Sequence, residues 1–209
     1  MSEPTVNAQR VAGWFGKIPN LGDFATRRLP GAQVRSWDRW LQASLAHARD
    51  ELGSEWQATY LVAPILRFWV GAGPRGGLSW AGLLMPSVDR VGRHFPLTVA
   101  MPCPTLAAAL AARSWFAALD AAARKVLDVD FTADDFDAAL AGIAPIGAAL
   151  PGAAEQPLAA RLIARCAAGK GVSVWWHDSP HDADDEAAYL CFAGLPPEAE
   201  FTSMLGVTT

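Results

Sequence analysis

The sequence predicts an α/β chain of the α+β type, a single domain in which a mixed, largely antiparallel central sheet is flanked by helices. Two observations carry this reading. Three apolar runs with strand character follow one another without an intervening helix, and the helical segments then cluster rather than alternate with strands, which disfavours a doubly wound Rossmann-like sheet. The chain of 209 residues is 52% apolar and 18% charged, enough apolar material to build a core and too little charge for a mainly disordered chain.

The elements follow in order. Trp14 to Lys17 reads as a first strand. From Val34, the positions Trp37, Trp40, Leu41, Leu45 and Leu52 recur at steps of three and four with Arg35, Arg39 and Arg49 between them, the pattern of an amphipathic helix. Ile65 to Val70 and Leu78 to Met85 are apolar runs separated by GAGPRGG and read as a hairpin. Phe95 to Met101 is a third strand, because prolines at 96, 102 and 104 mark its edges and forbid a helix. After Thr105 an Ala- and Leu-rich stretch places Leu106, Leu110, Leu119 and Val126 on one face and predicts a long helix.

Thr132 and Asp135 form a capping box with Asp in place of Glu, opening a short helix to about Leu140. GIAPIGAALPG is a loop, and Pro157 with Gly169 brackets a further helix carrying Leu158, Leu162 and Ile163. Val172 to Trp176 and Tyr189 to Phe192 are two more strands joined by the acidic loop HDSPHDADDE, and a short helix follows near Phe201. Neither a repeat nor a linker divides the chain, so residues 1–209 are expected to form one domain, with 1–10 as an N-terminal tail.

Composition narrows the function classes. The net charge of −4 offers no overall basic field for nucleic acid. Residues 1–104 carry 11 Lys and Arg against 7 Asp and Glu, whereas residues 105–209 carry 6 against 14, so the halves stand at +4 and −8. Such halves fit attraction within the fold, the favoured reading, or two faces for partners of opposite sign. Cys103, Cys166 and Cys191 form no CxxC pair and read as small core residues in a reducing compartment. The opening MSEPTVNAQR lacks a basic and apolar leader pattern, and the apolar run Tyr60 to Ala72 is broken by Arg67, so a cytoplasmic protein without membrane insertion is expected.

Several motifs dissolve on inspection. Gly71, Gly73 and Gly76 match GxGxxG, but a strand rather than a helix follows, so a hairpin loop is expected and no nucleotide cofactor. Ser79 in GLSWA stands at a strand start, without the strand-to-helix turn a nucleophile elbow requires. Lys17 follows Gly16 but lacks the remainder of a phosphate loop. His177 and His181 have metal-ligand potential, but Pro180 between them opposes a helix, and a solvated acidic loop is the expected reading, with no metal. Most of the nine tryptophans are expected in the core, with one or two left to anchor an interface.

Two polar clusters stand out. GKIPNLGDFATRRLP places Asp23, Arg27 and Arg28 in one loop, and MPSVDRVGRHFPL places Asp89, Arg90, Arg93 and His94 in another. Both loops are expected to reach the same rim of the sheet. Asp with Arg fits a brace that fixes loop geometry through parallel hydrogen bonds, and the same residues also fit a recognition rim for a partner. Neither cluster carries an evident nucleophile, although Asp89 and His94 retain acid-base potential.

The blocks GWFGKIPNLGDFATRRLP, WDRWLQ, PILRFWV and WAGLLMPSVDRVGRHFPLTVAMP, in that order, resemble the type VI secretion-associated TagF family, and SVWW and CFAGLP fit its less specific second half. The shared positions include Gly16, Lys17, Asp23, Arg27, Trp37, Asp89, Arg90 and Arg93, with no catalytic role attached to any. The resemblance implies a bacterial cytosolic, non-enzymatic, post-translational repressor of type VI secretion that acts through the FHA-domain protein of the apparatus. Some members carry a fused phosphatase domain, and none is expected within these 209 residues. The competing readings are a metal-assisted hydrolase and a structural accessory subunit.

Overall fold

A computed structural model describes residues 11–73, 77–146, 157–165, 171–177 and 188–206. Its centre is one seven-stranded sheet built from β1 (Gly13–Gly16), β2 (Ala25–Arg27), β3 (Leu66–Val70), β4 (Trp80–Met85), β5 (Leu97–Pro102), β6 (Val172–His177) and β7 (Leu190–Ala193). The strand order is β2-β1-β5-β4-β3-β6-β7, and every pairing is antiparallel, so the expected parallel component of a mixed sheet is absent among the described residues.

The pleat divides neighbouring side chains between two cores. Trp14, Trp69, Leu83 and Val99 point to one face, whereas their successors or predecessors Phe15, Phe68, Leu84 and Ala100 point to the other. The first face is covered by α3 (Leu106–Ala111), α4 (Arg113–Lys125), α5 (Ala133–Ala141) and α6 (Pro157–Arg165), which contribute Leu106, Phe116, Leu119, Phe136 and Leu162. The second is covered by α1 (Gly31–Leu52), α2 (Trp56–Val62) and α7 (Glu198–Met204), through Trp37, Leu41, Leu45, Tyr60 and Phe201. Helices on both faces explain why the central strands are buried nearly throughout instead of alternating.

The tryptophans are mostly core, as their size favours. Burial of four of them is eased by an acceptor for the indole N–H: Trp14 donates to Asp137, Trp37 to the Thr98 hydroxyl, Trp69 to the Cys103 carbonyl and Trp175 to the Ser173 hydroxyl. Trp40, partly buried, donates to the Pro196 carbonyl at 2.8 Å and ties α1 to the segment leading into α7.

Four elements depart from the sequence reading. The helix from Val34 starts earlier, at Gly31 behind Pro30, whose ring fixes an extended entry. After Gly53, with φ +52, the chain makes a short turn and resumes as α2, where an apolar run alone was expected. The single long helix after Thr105 is two, because Ala112 leaves helical geometry at ψ 38; no Gly or Pro marks the break, so packing rather than propensity sets it. The loop between Gly16 and α1 contains the three-residue strand β2. The capping box at Thr132 and Asp135 forms in both directions, as expected. The predicted tail 1–10, most of the loop 142–152, the helix beyond Arg165 and the acidic loop 178–187 lie outside the described residues.

Gly16 joins the sheet to the first loop. Its φ of +140 and the proximity of Pro96 and the Leu97 Cα, which a Cβ would approach to 2.9 Å, admit glycine and little else.

Candidate functional site: braced loops at one end of the sheet

β1 ends where β5 begins, and β4 ends where β3 begins, so four segments meet at one end of the sheet. They are the β1–β2 loop (17–24), the β4–β5 loop (86–96), the last turn of α2, and the loop from α4 to α5 (126–132). The Asp23 and Asp89 loops therefore share one rim, whereas Arg27 and Arg28, expected there too, lie at the far end of β2, because β2 runs back along β1 and sets Arg27 opposite Trp14.

Asp89 is the centre of this end. Its side chain is withdrawn from solvent, and Oδ2 lies 2.9 Å from Lys17 Nζ and 2.6 Å from Arg93 Nε. Its Oδ1 accepts from the backbone amides of Val91 and Arg93 at 3.1 and 2.9 Å. Burial works to raise the Asp89 pKa, but the hydrogen bonds from Lys17, from both the amide and the guanidinium of Arg93, and from the Val91 amide outweigh it and hold the carboxyl well below its ordinary range. Lys17, also buried, completes its surroundings by lying over the Phe24 ring at 4.9 Å from the centroid.

Further bonds stitch the remaining loops. Arg93 Nη2 donates to the Gly22 carbonyl at 2.5 Å, and the Arg90 amide donates to Leu21 at 2.9 Å. Asn20 donates to the Val129 carbonyl at 2.9 Å. Tyr60, at the end of α2, donates its hydroxyl to the Ser87 carbonyl and accepts from the Ser87 amide. Each of these loops is thus held by groups outside itself.

The six sequence candidates fall into different situations. Asp89 and Arg93 belong to the brace. Arg28, in left-handed backbone at φ 59, makes two hydrogen bonds to Asp137 at 2.7 and 2.9 Å, and its Nε donates to the Ala12 carbonyl. Asp137 is drawn below its ordinary pKa: burial opposes this, and the hydrogen bonds from Arg28 and Trp14 prevail. Arg27 lies 3.6 Å from Asp134 with both side chains largely in solvent. These two pairs join the basic half of the chain to the acidic half. Asp23 and Arg90 are exposed, and Asp23 accepts from the amide of Phe24.

The chemical alternatives find other arrangements. With Oδ1 and Oδ2 of Asp89 engaged by Lys17, Arg93 and Val91, His94 instead packs edge-on against Tyr60, with ring centroids 5.3 Å apart. Desolvation and the nearby Arg49 lower its pKa, so the neutral imidazole is favoured. Ser79 accepts from the Ala72 amide immediately before β4, with no helix following it. Gly71 and Gly73 lie in the β3–β4 connection, while Gly76 falls outside the described residues. His177 closes β6, and His181 lies outside the described residues. Among the described residues no group of three or more His, Cys, Asp or Glu side chains is placed to hold a metal. No helix among them is long and apolar enough to cross a membrane.

The opposite end of the sheet holds a cavity of about 600 Å³ between the start of α1 and the strands. Phe15, Trp37, Phe68 and Trp80 line it together with glycines, and no titratable side chain does so among the described residues. It offers apolar surface and no acid-base chemistry.

Lys17, which is not among the six candidates, belongs to the brace; a lone lysine closing an apolar strand does not by itself distinguish an inward side chain from a solvated one.

Residues 13–143, which contain the whole Lys17–Asp89–Arg93 brace, match the TagF N-terminal domain, described as type VI secretion system-associated. The chain belongs to the TagF family. This TagF-family chain is also similar to a solved structure, the protein PA0076 of Pseudomonas aeruginosa PAO1, with 32% sequence identity and a TM-score of 0.76. The likeness covers 95% of this chain and 96% of that one, so it extends past the TagF match to β6, β7 and α7. No curated protein matches the chain. The architecture is thus shared over nearly the full TagF-family chain, and its association with type VI secretion follows from the family.

Proposed function

We propose that this chain is a non-enzymatic, post-translational repressor of a bacterial type VI secretion system, acting in the cytoplasm by binding the FHA-domain component of the apparatus. The observation that carries the reading is TagF membership over residues 13–143, the stretch that supplies all four segments of the braced end. What the site offers agrees with it. The conspicuous charged cluster is spent on holding loops in place, and a fixed set of loops suits recognition, since a preordered surface loses less entropy on binding.

Repression requires the chain to bind the inactive form of its partner more tightly than the active form; equal affinity would shift nothing. The test is titration of the purified chain against the FHA-domain protein, with secretion measured in cells that overproduce or lack the chain. Saturable binding together with reduced secretion on overproduction is the expected result. Absence of binding, or secretion indifferent to the chain, overturns the reading.

A further inference from the structure

The stripe that α1 lays on the sheet runs through Trp37, Leu41, Ser44, Leu45 and Ala48. Continued toward the start of the helix at the same steps of three and four, it reaches Gln33 and Val34, so a polar side chain occupies a core-facing position. Burial begins only at Trp37. The opening turn, with Ala32 and Ser36 exposed, stands off the strands and roofs the cavity of about 600 Å³.

Two features distinguish this cavity from a packing fault. Protein interiors leave few voids larger than a water molecule, whereas this space falls in the range of small-molecule sites, about 300–1,000 Å³. Its amide side chain is also unsatisfied: Gln33 Oε1 is withdrawn from solvent and meets no hydrogen-bond donor. A buried acceptor without a donor is rare in a folded protein. A single water is a poor answer, because a buried water needs about two to four polar partners. Of the other polar side chains on the described wall, the Thr98 hydroxyl already accepts from Trp37, and Ser36 lies exposed.

The mouth is bare backbone. Gly73 and Gly77 are exposed and Gly71, Gly171 and Gly194 half-buried, so glycines border the side of the cavity that faces solvent. At Gly73 the backbone is not left-handed and a Cβ would stand in open space, so neither strain nor crowding demands glycine there. The effect of its missing side chain is a clear entrance.

The walls select the ligand. Phe15, Trp37, Phe68 and Trp80 offer aromatic surface, which favours a ring system through edge and offset contacts that an acyl chain does not make. No titratable side chain among the described residues lines the space, so none there compensates a buried charge. Gln33 Oε1 requires a donor. We propose that the cavity is a binding site for an uncharged polycyclic aromatic small molecule bearing an N–H or O–H group, which donates to Gln33 Oε1 while its rings pack among the four aromatic side chains. The site lies at the opposite end of the sheet from the braced loops and is independent of the proposed function.

The test uses the full chain and the neutral fluorescent probe N-phenylnaphthylamine, whose N–H is the donor. Phenylnaphthalene, which lacks the donor, and anilinonaphthalene sulfonate, which adds a charge, are measured beside it by competition. Saturable binding of one N-phenylnaphthylamine per chain is expected, with phenylnaphthalene about tenfold weaker, the worth of one hydrogen bond, and the sulfonate weaker than either. Gln33→Leu is expected to bring the two neutral probes level. Gly73→Trp, where a Cβ meets nothing, and Ala32→Trp, on the exposed helix side, are expected to shut the mouth and abolish binding with the melting temperature nearly unchanged. The comparison at Gln33 stands even if either tryptophan variant fails to fold. No saturable binding by the unaltered chain, or binding that both folded tryptophan variants retain, overturns the site. Equal affinity for the two neutral probes in the unaltered chain, or a preference for the sulfonate, overturns the ligand class. Displacement of the probe by an equimolar amount of the FHA-domain protein overturns it too, by reassigning the cavity to side chains of a partner.

Discussion

Lys17 Nζ and Asp89 Oδ2 lie 2.9 Å apart across 72 positions of sequence, and both side chains are almost wholly removed from water. A charge in that setting is tolerable only while its partner is present, since burial costs the solvation that the partner restores. Asp89→Asn keeps the shape and removes the charge, leaving Lys17 buried without its counter-ion. The expected loss is about 3–5 kcal/mol of unfolding free energy, the range for a broken buried pair, read from urea titration. A loss under about 1 kcal/mol would mean that the pair behaves as a surface ion pair and does not hold the two loops together.

The same carboxylate sets an acid limit. Its pKa is lower folded than unfolded, so its contribution to stability is complete above the ordinary aspartate value of about 3.9 and is lost as pH falls below that value toward the folded one. The unaltered chain and Asp89→Asn should therefore differ in stability by a constant amount between pH 7 and pH 5 and converge below about pH 4. Asp137, also depressed, titrates in both proteins and cancels in the difference. A gap unchanged down to pH 3 would show that Asp89 is not the group responsible.

Trp37 and Trp40 lie on one side of α1 and separate in their expected cost. Trp37 is 8% exposed, stacks with Trp175 at 5.9 Å between centroids and donates to Thr98, so Trp37→Ala should cost about 3–5 kcal/mol. Trp40 keeps part of its ring in solvent, and Trp40→Ala should cost about 2 kcal/mol. Denaturant titration of both decides the order, and a larger loss at Trp40 would place the helix face wrongly.

Periodicity and turn chemistry made much of this fold legible. The hairpin of β3 and β4, the proline-bounded β5 and the capping box of α5 all follow from residues close in sequence. What stayed hidden depends on contacts distant in sequence. β2 is three residues long and exists because Trp14, Phe15 and Gly16 pair with it. The break at Ala112 has no local cause in its composition. The meeting of the Asp23 and Asp89 loops could be anticipated from strand ends, but Lys17 as the buried partner could not, because nothing in GKIP distinguishes an inward lysine from a solvated one.

Arg93 and Arg90, three residues apart, should answer opposite experiments. Arg93 spends Nε on Asp89 and Nη2 on the Gly22 carbonyl, so Arg93→Ala should cost about 1–3 kcal/mol of stability and weaken partner binding through the loosened loops. Arg90 presents an exposed side chain beside Val91, so Arg90→Ala should change stability by less than about 0.5 kcal/mol while weakening binding by about 1 kcal/mol. The discriminating observation is the temperature dependence. Cooling should restore most of the binding lost in Arg93→Ala, since the braced geometry is repopulated as the loops settle, and should leave the Arg90→Ala deficit in place. If Arg93→Ala instead melts like the unaltered chain and its deficit persists on cooling, Arg93 touches the partner directly and the brace rests on Lys17 and Asp89.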